Sequence, residues 1–216
     1  MDIFTQLVVI VGRLTPDGVQ MLGTGFLLTN DGKLATTRHV VGSDDTNLVI
    51  LAPHIRDINE YQDLTDDRVK PIESSIEDIH PIRDIAILNS DAQFDGPLPN
   101  LGNFDDDEIG DTVHIFGFPH CTEGRRALTY QRAEIGAKVT LGESGVTSKH
   151  AVINVQARPG QSGSLIFSER NQRISGMLMG AWAPGGGGGI SLGGIDPREL
   201  HQTTHCISAE YVEEMI

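Results

Sequence analysis

The chain has 216 residues, 38% of them hydrophobic and 21% charged, enough to bury a sizeable core in one or two domains, with no apolar run long enough to span a bilayer. Thirty acidic against 16 basic residues give a net charge of −14, which repels phosphate backbones and anionic lipid and so argues against nucleic-acid and membrane partners. Two cysteines, Cys121 and Cys206, make no disulfide framework and read as reduced thiols; Met1-Asp2-Ile3-Phe4 lacks the basic and apolar parts of a secretory signal, so a cytoplasmic protein is expected, or a periplasmic or secreted one where a leader has been removed.

In chain order, Leu7 to Gly12 is a short β-branched run that predicts a strand. The tetrad Thr15-Pro16-Asp17-Gly18 predicts a hairpin turn into a second strand, Val19 to Leu28, where Gly23 and Gly25 permit close backbone approach. Thr29-Asn30-Asp31-Gly32 turns the chain into Lys33 to Thr37. Asn47 to Leu51 is another strand, followed by a long polar region with Asp57, Asp63, Asp66 and Asp67. Asp84 heads the apolar strand Ile85 to Leu88. Short strands divided by Gly, Pro and Asp turns predict a barrel or sandwich and not alternating strand and helix.

Composition shifts at residues 95–109, which include Asp95-Gly96-Pro97-Leu98-Pro99 and the acidic run Asp105 to Glu108. This stretch reads as a connector between residues 1–94 and 110–216, its acids a solvated face. Strand candidates follow at Thr112 to Phe118, Ala133 to Val139, His150 to Val155, Ser164 to Phe167 and Arg173 to Met179. Pro184 to Gly189 is a glycine loop without the Lys-Ser/Thr of a phosphate cradle, and Ser208 to Ile216 predicts a short C-terminal helix capped by Ser208.

The chemistry concentrates at Ala157-Arg158-Pro159-Gly160-Gln161-Ser162-Gly163-Ser164. Proline and flanking glycines make a tight turn that can present one hydroxyl and converge backbone N–H groups on one point. A serine hydroxyl needs a base, and a histidine base works best with its other nitrogen held by a carboxylate; His39 and Asp84 are the candidates, with Asp78 the rival acid, and the apolar strand following Asp84 favours it. His201 and His205 have the spacing of a zinc helix, but Gln202 stands where a metalloprotease motif carries glutamate, and no metal or cofactor is expected. The remaining histidines, at 54, 80, 114, 120 and 150, are expected at the surface or in local hydrogen bonds, and Cys121 as an inert thiol.

Gly23-Thr24-Gly25-Phe26-Leu27-Leu28, Ala35-Thr36-Thr37-Arg38-His39-Val40-Val41, Asp84-Ile85-Ala86-Ile87-Leu88 and Pro159 to Ser164, in that order, resemble a chymotrypsin-fold serine protease, within it the HtrA/Deg-like trypsin-like group. Gly110-Asp111-Thr112-Val113 to Phe118-Pro119 resembles the opening of the second barrel of that fold. The resemblance implies an all-β protein of two six-stranded antiparallel barrels with a short C-terminal helix. It also implies a His39, Asp84 and Ser162 triad between the barrels, and an oxyanion hole from the N–H groups of Gly160 and Ser162.

The expected activity is a serine endopeptidase acting on polypeptides through an acyl-enzyme. A specificity pocket is expected around Gln156, Ala157, Leu178, Met179, Gly180 and Thr203; with no acid at 156, it favours small or medium aliphatic residues. Departures from the family pattern are Ser164-Leu165 where Gly-Pro is usual, and Arg38 before His39. No PDZ-like extension follows residue 216. Two alternatives are a protease fold that grips peptides without cutting, and an α/β-hydrolase esterase using Ser162 with Asp196 and His201 or His205. The esterase lacks the glycine pattern of the nucleophile elbow.

Overall fold

The structure is a computed structural model and describes residues 2–66, 68–182 and 203–216. Six strands, β1 (Val8–Thr15), β2 (Gly18–Leu27), β3 (Leu34–Thr37), β4 (Leu48–Leu51), β5 (Ile72–His80) and β6 (Ile85–Ser90), close a first barrel in the order β1-β2-β3-β6-β5-β4. A second barrel is closed by β7 (Thr112–Gly117), β8 (Thr129–Glu143), β9 (Val146–Ile153), β10 (Leu165–Ser168), β11 (Ile174–Trp182) and β12 (Thr203–Ser208) in the order β10-β11-β12-β9-β8-β7. Every ladder of the described strands is antiparallel, and each sheet closes on itself. Helices are single turns: α1 (Phe4–Leu7), α2 (Arg38–Val41) and α3 (Glu210–Glu213). None among the described residues is long and apolar enough to cross a membrane.

The β-branched run at Val8–Val11 supplies the first barrel's interior with Phe26, Leu34, Ile50, Ile85, Ile87 and Leu88, all buried. That cluster continues into the second barrel through Phe116, Phe118, Leu165 and Met177, and Phe4 stacks on Phe116 with ring centroids 4.2 Å apart. A shared apolar wall of this kind holds the barrels together and so fixes the cleft between them.

Several expectations change. The polar region after β4 contains strand β5, whose alternation is broken by a bulge between Ile76 and Asp78. Strands β8 and β9 run well beyond the predicted segments and meet at Ser144-Gly145, both at positive φ. Leu7 ends α1 instead of starting β1. The C-terminal helix shrinks to four residues because Ser208 belongs to β12, where its hydroxyl accepts the Phe104 N–H at 3.2 Å. The acidic run is not merely solvated: Asp107 is fully buried, and its Oδ1 accepts from Ser168 Oγ at 2.5 Å and Asn171 Nδ2 at 2.7 Å, pinning the connector to the second barrel. The glycine loop and His201 lie outside the described residues, and His205 sits on a strand and not a helix.

Candidate active site

Strand β3 ends at Thr37, and the single turn α2 carries His39 into the cleft. Asp84 lies at the turn before β6 with φ 55, a left-handed conformation that Asp tolerates better than most residues but that still costs energy. The strain is compensated locally. The Asp84 carbonyl accepts the Arg38 N–H at 2.9 Å, its Oδ1 accepts the His39 N–H at 2.8 Å, and its Oδ2 lies 2.5 Å from His39 Nδ1. A carboxylate against Nδ1 makes that nitrogen the proton carrier and leaves Nε2 as the acceptor. Thr37 Oγ1 is 3.5 Å from Nε2.

From the second barrel comes the turn at 158–164. Gln161 is buried, with Oε1 accepting the Arg158 N–H at 2.7 Å and Nε2 donating to Gln131 at 2.9 Å, so an amide locks the turn from inside. The Gly163 N–H donates to the Leu178 carbonyl at 2.8 Å, and the Leu178 N–H to the Ser164 carbonyl at 2.9 Å. Gly160 and Gly163 have φ of 88° and 87°, where a side chain is strained, and a Cβ on Gly163 would lie 1.9 Å from the Thr24 carbonyl oxygen. The Pro159 carbonyl accepts the His120 N–H at 2.6 Å. Among the described residues nothing accepts the N–H of Gly160 or of Ser162, which is what a pair of oxyanion donors requires. Ser162 Oγ donates to the Met179 carbonyl at 3.1 Å and not to His39.

Thr24 joins the two halves. Its N–H donates to the Ser162 carbonyl at 2.9 Å, its hydroxyl donates to the Gly160 carbonyl at 2.8 Å and accepts the Phe118 N–H at 3.1 Å. Its carbonyl accepts the Thr36 hydroxyl at 2.7 Å. Thr24 sat inside a motif noted in the sequence, yet its role there went unassigned; a buried threonine between two glycines was the available signal.

The predicted pocket residues are only partly brought together. Ala157 and Leu178 are buried and Met179 and Gly180 border Ser162, while Gln156 accepts from Arg158 at 3.0 Å. Thr203 is exposed and pairs with Trp182; its neighbour Thr204 points inward, accepting the Ala157 N–H at 2.9 Å and donating to the Val155 carbonyl. One step along a strand reverses the face, which is why Thr204 and not Thr203 points inward.

The other histidines divide. His54, His80 and His120 match the surface or local role expected, and so does His114, which is buried but holds the Tyr130 hydroxyl at 2.9 Å through Nδ1; His150 is buried with Nδ1 unpartnered among the described residues. Burial lowers the His114 pKa, and burial together with the neighbouring His205 brings His150 down to about 4. Cys121 lies under the turn with its thiol pushed up to about 12 by burial, so it is no nucleophile. Among the described residues no group of three or more His, Cys, Asp or Glu could hold a metal ion.

The model of the trypsin-like peptidase domain matches residues 23–177. A probable periplasmic serine endoprotease, DegP-like, from Pseudomonas fulva is 32% identical over 100 residues, 46% of this chain and 18% of that protein's length. The active form of the Rv3671c protease from M. tuberculosis superposes with a TM-score of 0.65 at 22% identity, covering 98% of this chain and 80% of that one. The MamO protease domain from Magnetospirillum magneticum gives 0.69 at 12% identity, over 99% and 97%. At these identities the solved structures speak to the fold, and the domain match, which spans both barrels from β2 to β11, speaks to descent: the chain belongs to the trypsin-like peptidase family.

Proposed function

We propose that this protein is a serine endopeptidase in which Ser162 is the nucleophile, His39 the base and Asp84 its orienting acid. The observation that carries the reading is the pairing of an Asp84-held imidazole with a facing serine turn whose Gly160 and Ser162 N–H groups have no acceptor among the described residues.

In the reaction the Ser162 hydroxyl swings from the Met179 carbonyl to His39 Nε2, exchanging one hydrogen bond for another at a net cost near zero. Oγ bonds to the scissile carbonyl carbon as its proton passes to Nε2, and the oxyanion is received by the N–H groups of Gly160 and Ser162. The C–N bond then breaks, the leaving amine takes the proton from Nε2, and water repeats the sequence to release the acid.

In this reading the pocket lies beside Met179 and Gly180 with Ala157 at its base, and no acid stands at 156 or 157 to meet lysine or arginine. A small or medium aliphatic residue fits best before the cleaved bond. Cytoplasmic residence rests on two buried free thiols; the DegP-like relative, periplasmic by its name, points the other way, and cell fractionation decides between them.

Treatment with a fluorophosphonate probe should place the adduct on Ser162, with none on Ser162→Ala. Folded wild-type protein that takes no label at Ser162 sinks the assignment, and strong cleavage of a peptide library after Arg or Glu sinks the aliphatic preference.

A further inference from the structure

The connection between β4 and β5, residues 52–71, belongs to the first barrel yet reaches the second. Gln62 grips Leu128 from both sides of one residue: Nε2 donates to the carbonyl at 2.8 Å and Oε1 accepts the N–H at 2.7 Å. Arg126 answers from the second barrel, donating to the carbonyls of Arg68, at 3.3 Å, and Asp66. Close packing contributes little here. Ile55 is buried, but Tyr61 is fully exposed and Leu64 is 50% exposed, and the loop borders a cavity of about 410 Å³ lined by Leu51, Gln62, Val69, Phe118 and Arg126. Where side chains do not interdigitate, directional polar contacts locate the chain.

The gripped segment, 118–128, is the support of the oxyanion turn. His120 holds the Pro159 carbonyl at 2.6 Å, Cys121 Sγ is 3.7 Å from the Gly160 carbonyl oxygen, and a Cβ on Gly160 would lie 2.7 Å from both the Phe118 carbonyl oxygen and Cys121 Sγ. His120 does this from φ 62, a left-handed conformation that persists only where its surroundings enforce it. The Pro159 carbonyl and the Gly160 N–H share one trans peptide unit, so they point in opposite directions. Fixing one on His120 therefore fixes the other.

We propose that Gln62 and Arg126 are positioning residues for the oxyanion hole: they hold segment 118–128 in place, and through His120 they keep the Gly160 N–H aimed at the cleft. The kinetic side of this rests on Ser162 being the nucleophile; the structural side does not.

The test uses the full chain with Gln62→Met, which keeps length and removes both hydrogen bonds, Arg126→Met, and Gln62→Glu, which keeps the acceptor for Leu128. Amide hydrogen exchange should speed about tenfold in peptides spanning 118–121 and 158–163 of Gln62→Met and Arg126→Met, with Gln62→Glu nearer wild type. Fluorophosphonate labelling of Ser162 should slow about tenfold in the same order, and KM for a cleaved peptide should stay within about twofold. Unchanged exchange in those peptides overturns the proposal, as does a rise in KM with kcat intact. Wild-type protein that takes no label while exchange responds to the variants removes the nucleophile assignment and leaves the strut standing.

Discussion

Thr24 shows how much one side chain can coordinate. Its hydroxyl serves Gly160 and Phe118 at once, from a fully buried position, so its loss strands a carbonyl and an N–H in a place water does not reach. A buried unpaired group costs about 1–3 kcal/mol. Thr24→Val should lower stability by about 2 kcal/mol and slow Ser162 labelling by tenfold or more, because the turn it releases carries the proposed oxyanion donors; Thr24→Ser should keep both near wild type. Denaturant melts and labelling rates, measured together, check this. Equal labelling in the valine and serine variants contradicts the role given to the hydroxyl.

At the level of elements, the turn at 158–164 is intolerant because backbone of β2 and the 118–121 segment lies against its glycines, with Thr36 and Cys121 side chains beside them. A methyl at Gly163 meets the Thr24 carbonyl oxygen at 1.9 Å, and Thr24 cannot retreat without breaking its pairing with Ile10 in the β1–β2 ladder. Gly163→Ala should therefore cut labelling at least a hundredfold while circular dichroism still reports both barrels. By contrast, Ser164, which departs from the usual glycine, fits sterically where Gly117 has no side chain, but its hydroxyl is buried without a hydrogen-bond partner among the described residues. The strands that were readable in advance are those with unbroken apolar runs, such as Ile85–Leu88. Strand β5 was not, because Glu73, Glu77 and Asp78 crowd its exposed face and the bulge after Ile76 shifts its alternation by one. The proposed triad residues stand in local motifs, and the flanking glycines of Gly23-Thr24-Gly25 mark Thr24, whereas the partners of Thr24 and the Gln62 grip are not legible, since each acts on a segment distant in the chain.

For the molecule as a whole, acid is the condition to watch. His150, ordinarily 6.5, falls to about 4 when folded, and His114 is lowered as well. Below pH 6.5 the unfolded chain binds a proton that folded His150 refuses, so stability rises with pH; the contribution is complete above 6.5 and is lost between 6.5 and about 4. About 2 kcal/mol is at stake, after allowing for partial access of solvent. Melting temperature followed from pH 7.5 to about 4 should decline more steeply in wild type than in His150→Gln, whose side chain does not titrate. Parallel curves would falsify the assignment. The hydrogen bond from Thr24 to Gly160 spans 136 positions, and its consequence concerns biosynthesis. Translation delivers the first barrel well before the segment that completes the turn, and contacts so far apart in sequence form late because a large loop must close first. The turn at 158–164 thus acquires its shape only when the barrels dock, and the proposed oxyanion donors are not yet assembled in a chain still on the ribosome.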